Sequence, residues 1–264
     1  MAKEQTCDVI VIGGGSAAFE AAVSAKKSGA GHVIMLEKAP EAEYGGNARY
    51  SGTGFRFTHE GAAEMRELVP DVDEEYFRSL NINPYTRDDF LADLDRMTQG
   101  CMDRELAETL VDESNAAVHW MKEVGIKWEF LKEHALVDGK RYYERGIAVH
   151  VAGGGIGQLE QWRSLAEELG VEIRFDSPVS GVHANLHRIE GVHVCAANEE
   201  YDLRARAVIA CAGGFQASAE MRARYLAGNT DFAKVRGSKH DTGEVLRYLV
   251  EAGAMTGGQW QSGH

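Results

Sequence analysis

The stretch Cys7-Asp8-Val9-Ile10-Val11-Ile12-Gly13-Gly14-Gly15-Ser16-Ala17-Ala18 decides the fold. Cys7 to Ile12 is a short β-branched run that predicts a buried strand, and three glycines stop it. Ser16 to Ser28 is rich in alanine and closes at Gly29, the composition of a helix with a glycine stop. Val33 to Leu36 predicts a second buried strand that ends at Glu37. Strand, glycine turn, helix and strand within ~30 residues make a βαβ unit over 7–38.

Gly13-x-Gly15-x-x-Ala18 fits the pattern G-x-G-x-x-G/A where that pattern has a mechanism, after a strand and at the start of a helix. Gly13 permits the tight turn, Gly15 lets the backbone approach a pyrophosphate, and Ala18 keeps helix and sheet close. Ser16 opens the helix, whose first N–H groups and positive dipole end would face phosphate. Glu37 stands where an acid accepts ribose hydroxyls, with Lys38 beside it as a further candidate contact. The acid disfavours a 2′-phosphorylated nucleotide. The fingerprint alone does not choose between NAD and FAD.

Working outward, a chain of 264 residues suffices for one large α/β domain or two small ones. Its 44% hydrophobic and 26% charged residues suit a globular protein. A formal charge of −13 argues against nucleic acid and anionic membrane surfaces as partners. Cys7, Cys101, Cys195 and Cys211 show no paired spacing, which argues against zinc and dithiol chemistry and for reduced thiols in a cytoplasmic protein. His119, His134 and His183 read as surface or packing residues, and no metal site is expected. The polar N-terminus is no signal peptide, and no stretch is long enough to span a membrane.

Downstream, a polar region from about 73 to 125 predicts a helical insertion, with Leu106, Leu110, Val118 and Met121 as one buried stripe and Trp120 and Trp128 as packing residues. Gly153-Gly154-Gly155-Ile156-Gly157 opens a helix that runs through Leu169 to Gly170. Short strands at 172–175, 179–185, 190–196 and 201–203, broken at Pro178, His187 and Asn198, predict an antiparallel β-meander over about 172–203. Ala207 to Cys211 predicts a buried return strand ending in Ala212-Gly213-Gly214, and a helix is expected around 242–252. The fold class is therefore α/β, a Rossmann-like domain with a parallel sheet and an inserted meander.

The thirty glycines against four prolines cluster in runs. Gly45-Gly46-Asn47-Ala48-Arg49-Tyr50-Ser51-Gly52-Thr53-Gly54 follows the second strand almost at once. Where an NAD-only domain would continue with alternating strands and helices, this strip of small residues can lie along an elongated cofactor. That favours FAD.

The segments V-I-G-G-G-S-A-A, L-E-K, G-G-N-A-R-Y-S-G-T-G, G-G-G-I-G, A-C-A-G-G-F and D-T-G-E, in this order, resemble the fumarate reductase/succinate dehydrogenase flavoprotein family, in its branch with non-covalent FAD. Within it, G-G-N-A-R, V-R-G-S-K-H-D-T-G and G-G-Q-W-Q-S-G-H are most similar to the tricarballylate dehydrogenase branch. The resemblance implies that Gly46, Asn47 and Ala48 contact the pyrophosphate and ribityl chain, and that Ser51, Gly52 and Thr53 line the flavin ring. It implies that Val179 pairs with adenine, that Ala212, Gly213 and Gly214 approach the cofactor, and that Thr242, Gly243 and Glu244 lie near the flavin. Glu244 and Val245 depart from the family's usual Asp and Gly. Covalently flavinylated members carry a His in the second glycine strip; none stands between Gly45 and Gly54, so FAD is expected to be dissociable.

By the same resemblance, His264 binds a carboxylate of a small substrate, and hydride passes between flavin and a carbon–carbon bond. The catalytic Arg lies in the distal half, so no catalytic residue is expected here; Arg49, Arg56 and Arg236 are free cations with no assigned place. The whole chain, 1–264, reads as one incomplete FAD-binding domain that ends before the returning half and the capping domain. A non-catalytic nucleotide-binding module, or half of a split enzyme, is the alternative, with an NAD-dependent enzyme behind it. The residues leave the electron acceptor open.

Overall fold

The β-branched run begins earlier than its sequence signal: in the computed structural model the first strand starts at Lys3. The structure describes residues 3–132, 135–143, 146–185, 188–197, 199–226, 228–257 and 260. In chain order its elements are β1 (Lys3–Ile12), α1 (Ser16–Lys27), β2 (Val33–Leu36), α2 (Ala62–Leu68), α3 (Glu74–Ser79), β3 (Leu80–Asn81), α4 (Arg87–Thr98) and α5 (Arg104–Glu123). There follow β4 (Trp128–Phe130), β5 (Ala135–Val137), β6 (Lys140–Tyr142), β7 (Val149–Val151), α6 (Gly154–Glu168), β8 (Glu172–Arg174), β9 (Val179–Ala184), β10 (Ile189–Ala196), β11 (Glu199–Ala210), α7 (Ala219–Tyr225) and α8 (Glu244–Glu251). They belong to two compact units, one of Met1–Tyr50 with Leu159–His264, the other Ser51–Gln158.

The first unit holds a six-stranded sheet in the order β8-β2-β1-β11-β10-β9. β1 pairs in parallel with β2 and β11, and the register sets Ile12 beside both Leu36 and Ala210. Three strands therefore finish level, so Gly13, Glu37 and Cys211 emerge at one carboxyl edge. That edge is where open α/β sheets bind ligands. Ile10, Ile12, Ile34, Leu36, Val192, Val194 and Leu203 share one apolar core. On the sheet α1 buries Ala18, Phe19, Ala22 and Val23.

Two sheet expectations need correction. β8 was expected to open the meander, yet it pairs in parallel with β2 at the opposite edge. The reason is the helix before it: a crossover through α6 returns the chain in parallel. The expected strands at 201–203 and 207–211 are one strand, β11, paired antiparallel with β10 and parallel with β1. No breaker separates them, and Arg204 finds Glu4 and Glu190 across its neighbours at 3.8 and 4.0 Å.

The second unit carries α2 to α5 and two small sheets, β3-β6-β5 and β4-β7. A capping box between Thr86 and Asp89 starts α4, and Asp103 accepts the Leu106 N–H to start α5. The buried stripe of α5 is Ala107, Val111, Ser114, Val118 and Met121. Leu106 and Leu110, expected inside, are 61% and 54% exposed. They stand one residue, about 100°, from a seam that includes the small Ala107 and Ser114. No helix among the described residues is long and apolar enough to cross a membrane.

Val111→Ala is expected to cost about 1–3 kcal/mol and Leu110→Ala under ~0.5 kcal/mol in chemical denaturation; equal losses would contradict this seam. On α1, burial raises the Glu20 carboxyl from 4.5 to about 7. A raised acid weakens the fold as pH climbs through that interval. Glu20→Gln should therefore be more stable than wild type by about 1–2 kcal/mol at pH 8 and equal to it near pH 4, which melts at the two pH values will check.

Candidate functional site

The three fingerprint glycines are small for three different reasons. Gly13 has φ of +122°, and a methyl there would strike the Cys211 carbonyl, the first peptide group beyond β11. Its N–H donates to Leu36 O at 2.8 Å, and Cys211 N–H donates to Ile12 O at 2.8 Å, so it stitches the three strand ends together. A methyl at Gly14 would collide with the Glu37 carboxylate. At Gly15 it would lie 3.3 Å from the Gly45 carbonyl, in the second glycine strip.

Gly15 is also the N-cap of α1, in extended backbone and with no side chain bonded to the helix end. The first N–H groups of a helix lack intrahelical acceptors, and here no side chain replaces them. Such N–H groups and the helix dipole suit an anion. Beside it, Glu37 is 94% withdrawn from solvent, since 6% remains exposed. Its Oε1 accepts the Ala39 N–H at 2.7 Å, and it forms no ion pair among the described residues. Burial pushes its pKa above the usual carboxylate range, against the pull of Ala39 N–H, His240 and Lys38. A buried acid with spare acceptor capacity suits a ligand that brings hydroxyl donors.

These groups line one cavity of about 680 Å³, within the first unit. Gly13, Gly15, Ser16, Glu37, Lys38, Gly46, Asn47, Ala48 and Val179 all line it. So do Ala212, Gly213, Gly214, Gly243 and Glu244, from the far end of the chain. Ala18 does not: it is a fully buried residue of α1, on the face that serves the helix–sheet contact. Thr242 is also absent from the lining; its hydroxyl reaches Glu244 at 2.7 Å and receives a hydrogen bond from Lys38. Lys38 in turn pairs with Glu244 at 3.0 Å. Burial opposes ionisation of Glu244, but the bonds from Thr242 and Lys38 hold its pKa below the usual range.

Ser51, Gly52 and Thr53 belong to the second unit. Thr53 is buried at φ of +56°, an uncommon conformation for a β-branched residue. Its N–H bonds to Ser51 Oγ at 2.9 Å and its hydroxyl to Val151 O at 3.2 Å, which hold that turn. His264 lies outside the described residues.

Several lining residues are not among the expected contacts. Asp241 is buried, accepts Gln216 Nε2 at 2.8 Å, and has its pKa raised by burial against Lys38 and His240. Ser238 donates its N–H to Asn47 Oδ1 at 2.9 Å, so Asn47 latches the distal loop to the glycine strip. His240 approaches Glu43 Oε2 at 2.8 Å. All three sit in V-R-G-S-K-H-D-T-G, a segment that stands out as a block without revealing which side chains face inward.

Among the described residues no Arg lines the cavity, and three acids, Glu37, Asp241 and Glu244, outnumber one Lys and one His. An anion here must be held by backbone N–H groups and the dipole of α1. Diphosphate at that helix end and ribose hydroxyls at Glu37 fit these residues, so the chain suits an elongated dinucleotide.

A family model described as "FAD binding domain" matches residues 8–261. The chain is similar to a vinyl phenol reductase of Lactiplantibacillus plantarum, 25% identical over 258 residues, covering 97% of this chain and 47% of that protein. It is similar to a probable fumarate reductase of Shewanella frigidimarina, 27% identical over 266 residues, covering 98% of this chain and 41% of that protein. Among solved structures, the open conformation of a flavocytochrome c3 fumarate reductase superposes with a TM-score of 0.75 at 26% identity, covering 95% of this chain and 41% of that one. The chain thus spans less than half the length of these relatives.

Gly13→Ala should destabilise the cofactor-free protein by about 1–3 kcal/mol through backbone strain and the Cys211 contact. Gly15→Val, whose first carbon has nearly enough room, should leave that melt close to wild type yet reduce retained nucleotide at least ~tenfold. Full nucleotide content in purified Gly15→Val would remove the fingerprint from the site.

Proposed function

Because the chain belongs to the FAD-binding-domain family, we propose that it holds FAD without a covalent link and is the cofactor-binding part of an oxidoreductase acting on a carbon–carbon bond of a small carboxylate. The observation that carries this reading is the cavity at the level ends of β1, β2 and β11, walled by glycine backbone, by the open end of α1 and by buried Glu37. FAD is the family's cofactor, and it supplies the hydride chemistry. This chain's residues bind and orient it: the first N–H groups of α1 hold the diphosphate, Glu37 accepts ribose hydroxyls, and the Asn47–Ser238 latch closes the strip along the cofactor.

The substrate class rests on printed names and on resemblance. The relatives include a vinyl phenol reductase and fumarate reductases, whose names share reduction at a carbon–carbon double bond. V-R-G-S-K-H-D-T-G and G-G-Q-W-Q-S-G-H point within that set to a tricarboxylate, as in tricarballylate dehydrogenase. In this reading Ser51, Gly52 and Thr53 line the flavin ring, His264 takes a substrate carboxylate, and residues 1–264 form one FAD-binding domain completed by a distal half. The four cysteines, which show no paired spacing, suit the cytoplasm.

The experiment is a spectrum. Purified protein should show the visible flavin bands, acid precipitation should release all FAD into the supernatant, and tricarballylate should shift those bands more than fumarate or a vinyl phenol. Flavin left in the pellet would refute the non-covalent assignment. A colourless protein that binds NAD would refute the whole reading, and a response to vinyl phenol alone would replace the substrate class.

A further inference from the structure

The edge of the sheet formed by β9, β10 and β11 carries a second cluster of chemistry-bearing side chains. His183 Nε2 lies 2.7 Å from Asp202 Oδ1, and His193 Nδ1 lies 2.9 Å from the same oxygen. The three ligand atoms fall within 4.8 Å of one another. The side chains are 25–30% exposed, reachable from solvent yet held in place. His193, Cys195 and Glu200 form an overlapping set, in which Cys195 Sγ approaches Glu200 Oε1 at 3.2 Å.

Strand register explains how residues so far apart meet. β10 and β11 pair His193 with Asp202 and Cys195 with Glu200, so these four share one face of the sheet. His183 joins them because of an irregularity. Pairing between β9 and β10 runs from Ile189 with Ala184 directly to Gly191 with His183, which leaves Glu190 as an extra residue. Without it His183 would stand opposite Glu190, on the other face from His193. Such a one-residue bulge reverses the facing of every residue that follows it.

The positions opposite the two imidazoles are glycines, Gly191 beside His183 and Gly181 beside His193. Each ring is therefore free to lean diagonally towards the shared carboxylate.

We propose that His183, His193 and Asp202 bind a divalent transition-metal ion of the zinc class. Two neutral imidazoles and one carboxylate are a ligand set for such ions, and three protein ligands leave a coordination position for water. Two rings aimed at a single carboxylate oxygen resemble a metal shell with protons in place of the ion; on binding, each neutral ring carries its proton on the nitrogen that faces away from the ion, and the ligand atoms, now 2.7 and 2.9 Å apart, open to about 3.3 Å around it. The ion would tie β9 to β10 and β11, clamping an edge strand whose register shifts twice along its length. The site is independent of the redox reading and would stand if that reading failed.

The test uses the full chain with its flavin, dialysed against chelator and titrated with zinc chloride by calorimetry, with zinc measured again after dialysis. One zinc per chain should be retained, and the melting temperature should rise with zinc concentration. His183→Gln, His193→Gln and Asp202→Asn should each weaken binding at least ~tenfold, whereas His119→Gln, in the other unit, should bind as wild type does. Unchanged visible flavin bands identify the variants that remain folded. The near-isosteric Asp202→Asn serves if a His variant does not. Zinc uptake that is absent in wild type, or undiminished in folded His183→Gln and Asp202→Asn, overturns the proposal. Loss in Cys195→Ser with none in His183→Gln also overturns it, by moving the ion to the other set.

Discussion

The approach of Gly13 to the Cys211 carbonyl is the contact on which the site depends. It brings the end of β1 against the end of β11 more closely than any side chain at position 13 allows. Because β2 ends at the same level, Glu37 is placed beside the turn, where it donates its N–H to Arg174 O at 2.9 Å and its carboxylate accepts the Ala39 N–H. The turn, the acid and the Ala212-Gly213-Gly214 segment are thus one arrangement seen from three strands. The residues between 37 and 211 supply the helix, the edge strand and the second unit, but the geometry of the cavity mouth is set by this backbone contact.

Electrostatics follow from that geometry. The cavity carries more acid than base, so phosphate recognition falls to peptide dipoles, which cost no side-chain ordering and cannot be titrated away. The carboxylates have other partners: Glu37 accepts the Ala39 N–H, Glu244 pairs with Lys38, and Asp241 accepts Gln216. Lys38, adjacent in sequence to Glu37, is spent on Glu244 and Thr242.

The legible parts of the chain were those with local causes. The strand Val33–Leu36 and the helix from Ser16 were readable because β-branched runs and alanine-rich segments act over a few residues. The α5 seam excludes Leu106 and Leu110 because Ala107 and Ser114, weakly apolar by composition, fit the tight side of the helix. β8 and β11 were misplaced because pairing partners depend on crossovers and on the absence of breakers elsewhere. Asp241, Ser238 and His240 sit in a recognisable block, but which of its side chains turn inward depends on Asn47, almost two hundred residues away.

The amino-acid order alone determined the βαβ unit, the glycine turn, the acid after β2 and hence a nucleotide site, since each is written within one short window where backbone freedom and side-chain size act directly. Tertiary structure decided which residues wall the cavity, the capture of Lys38 by Glu244, and the meeting of His183, His193 and Asp202. Those outcomes depend on strand register, and a single extra residue at Glu190 reverses the facing of a strand while leaving almost no trace in local composition.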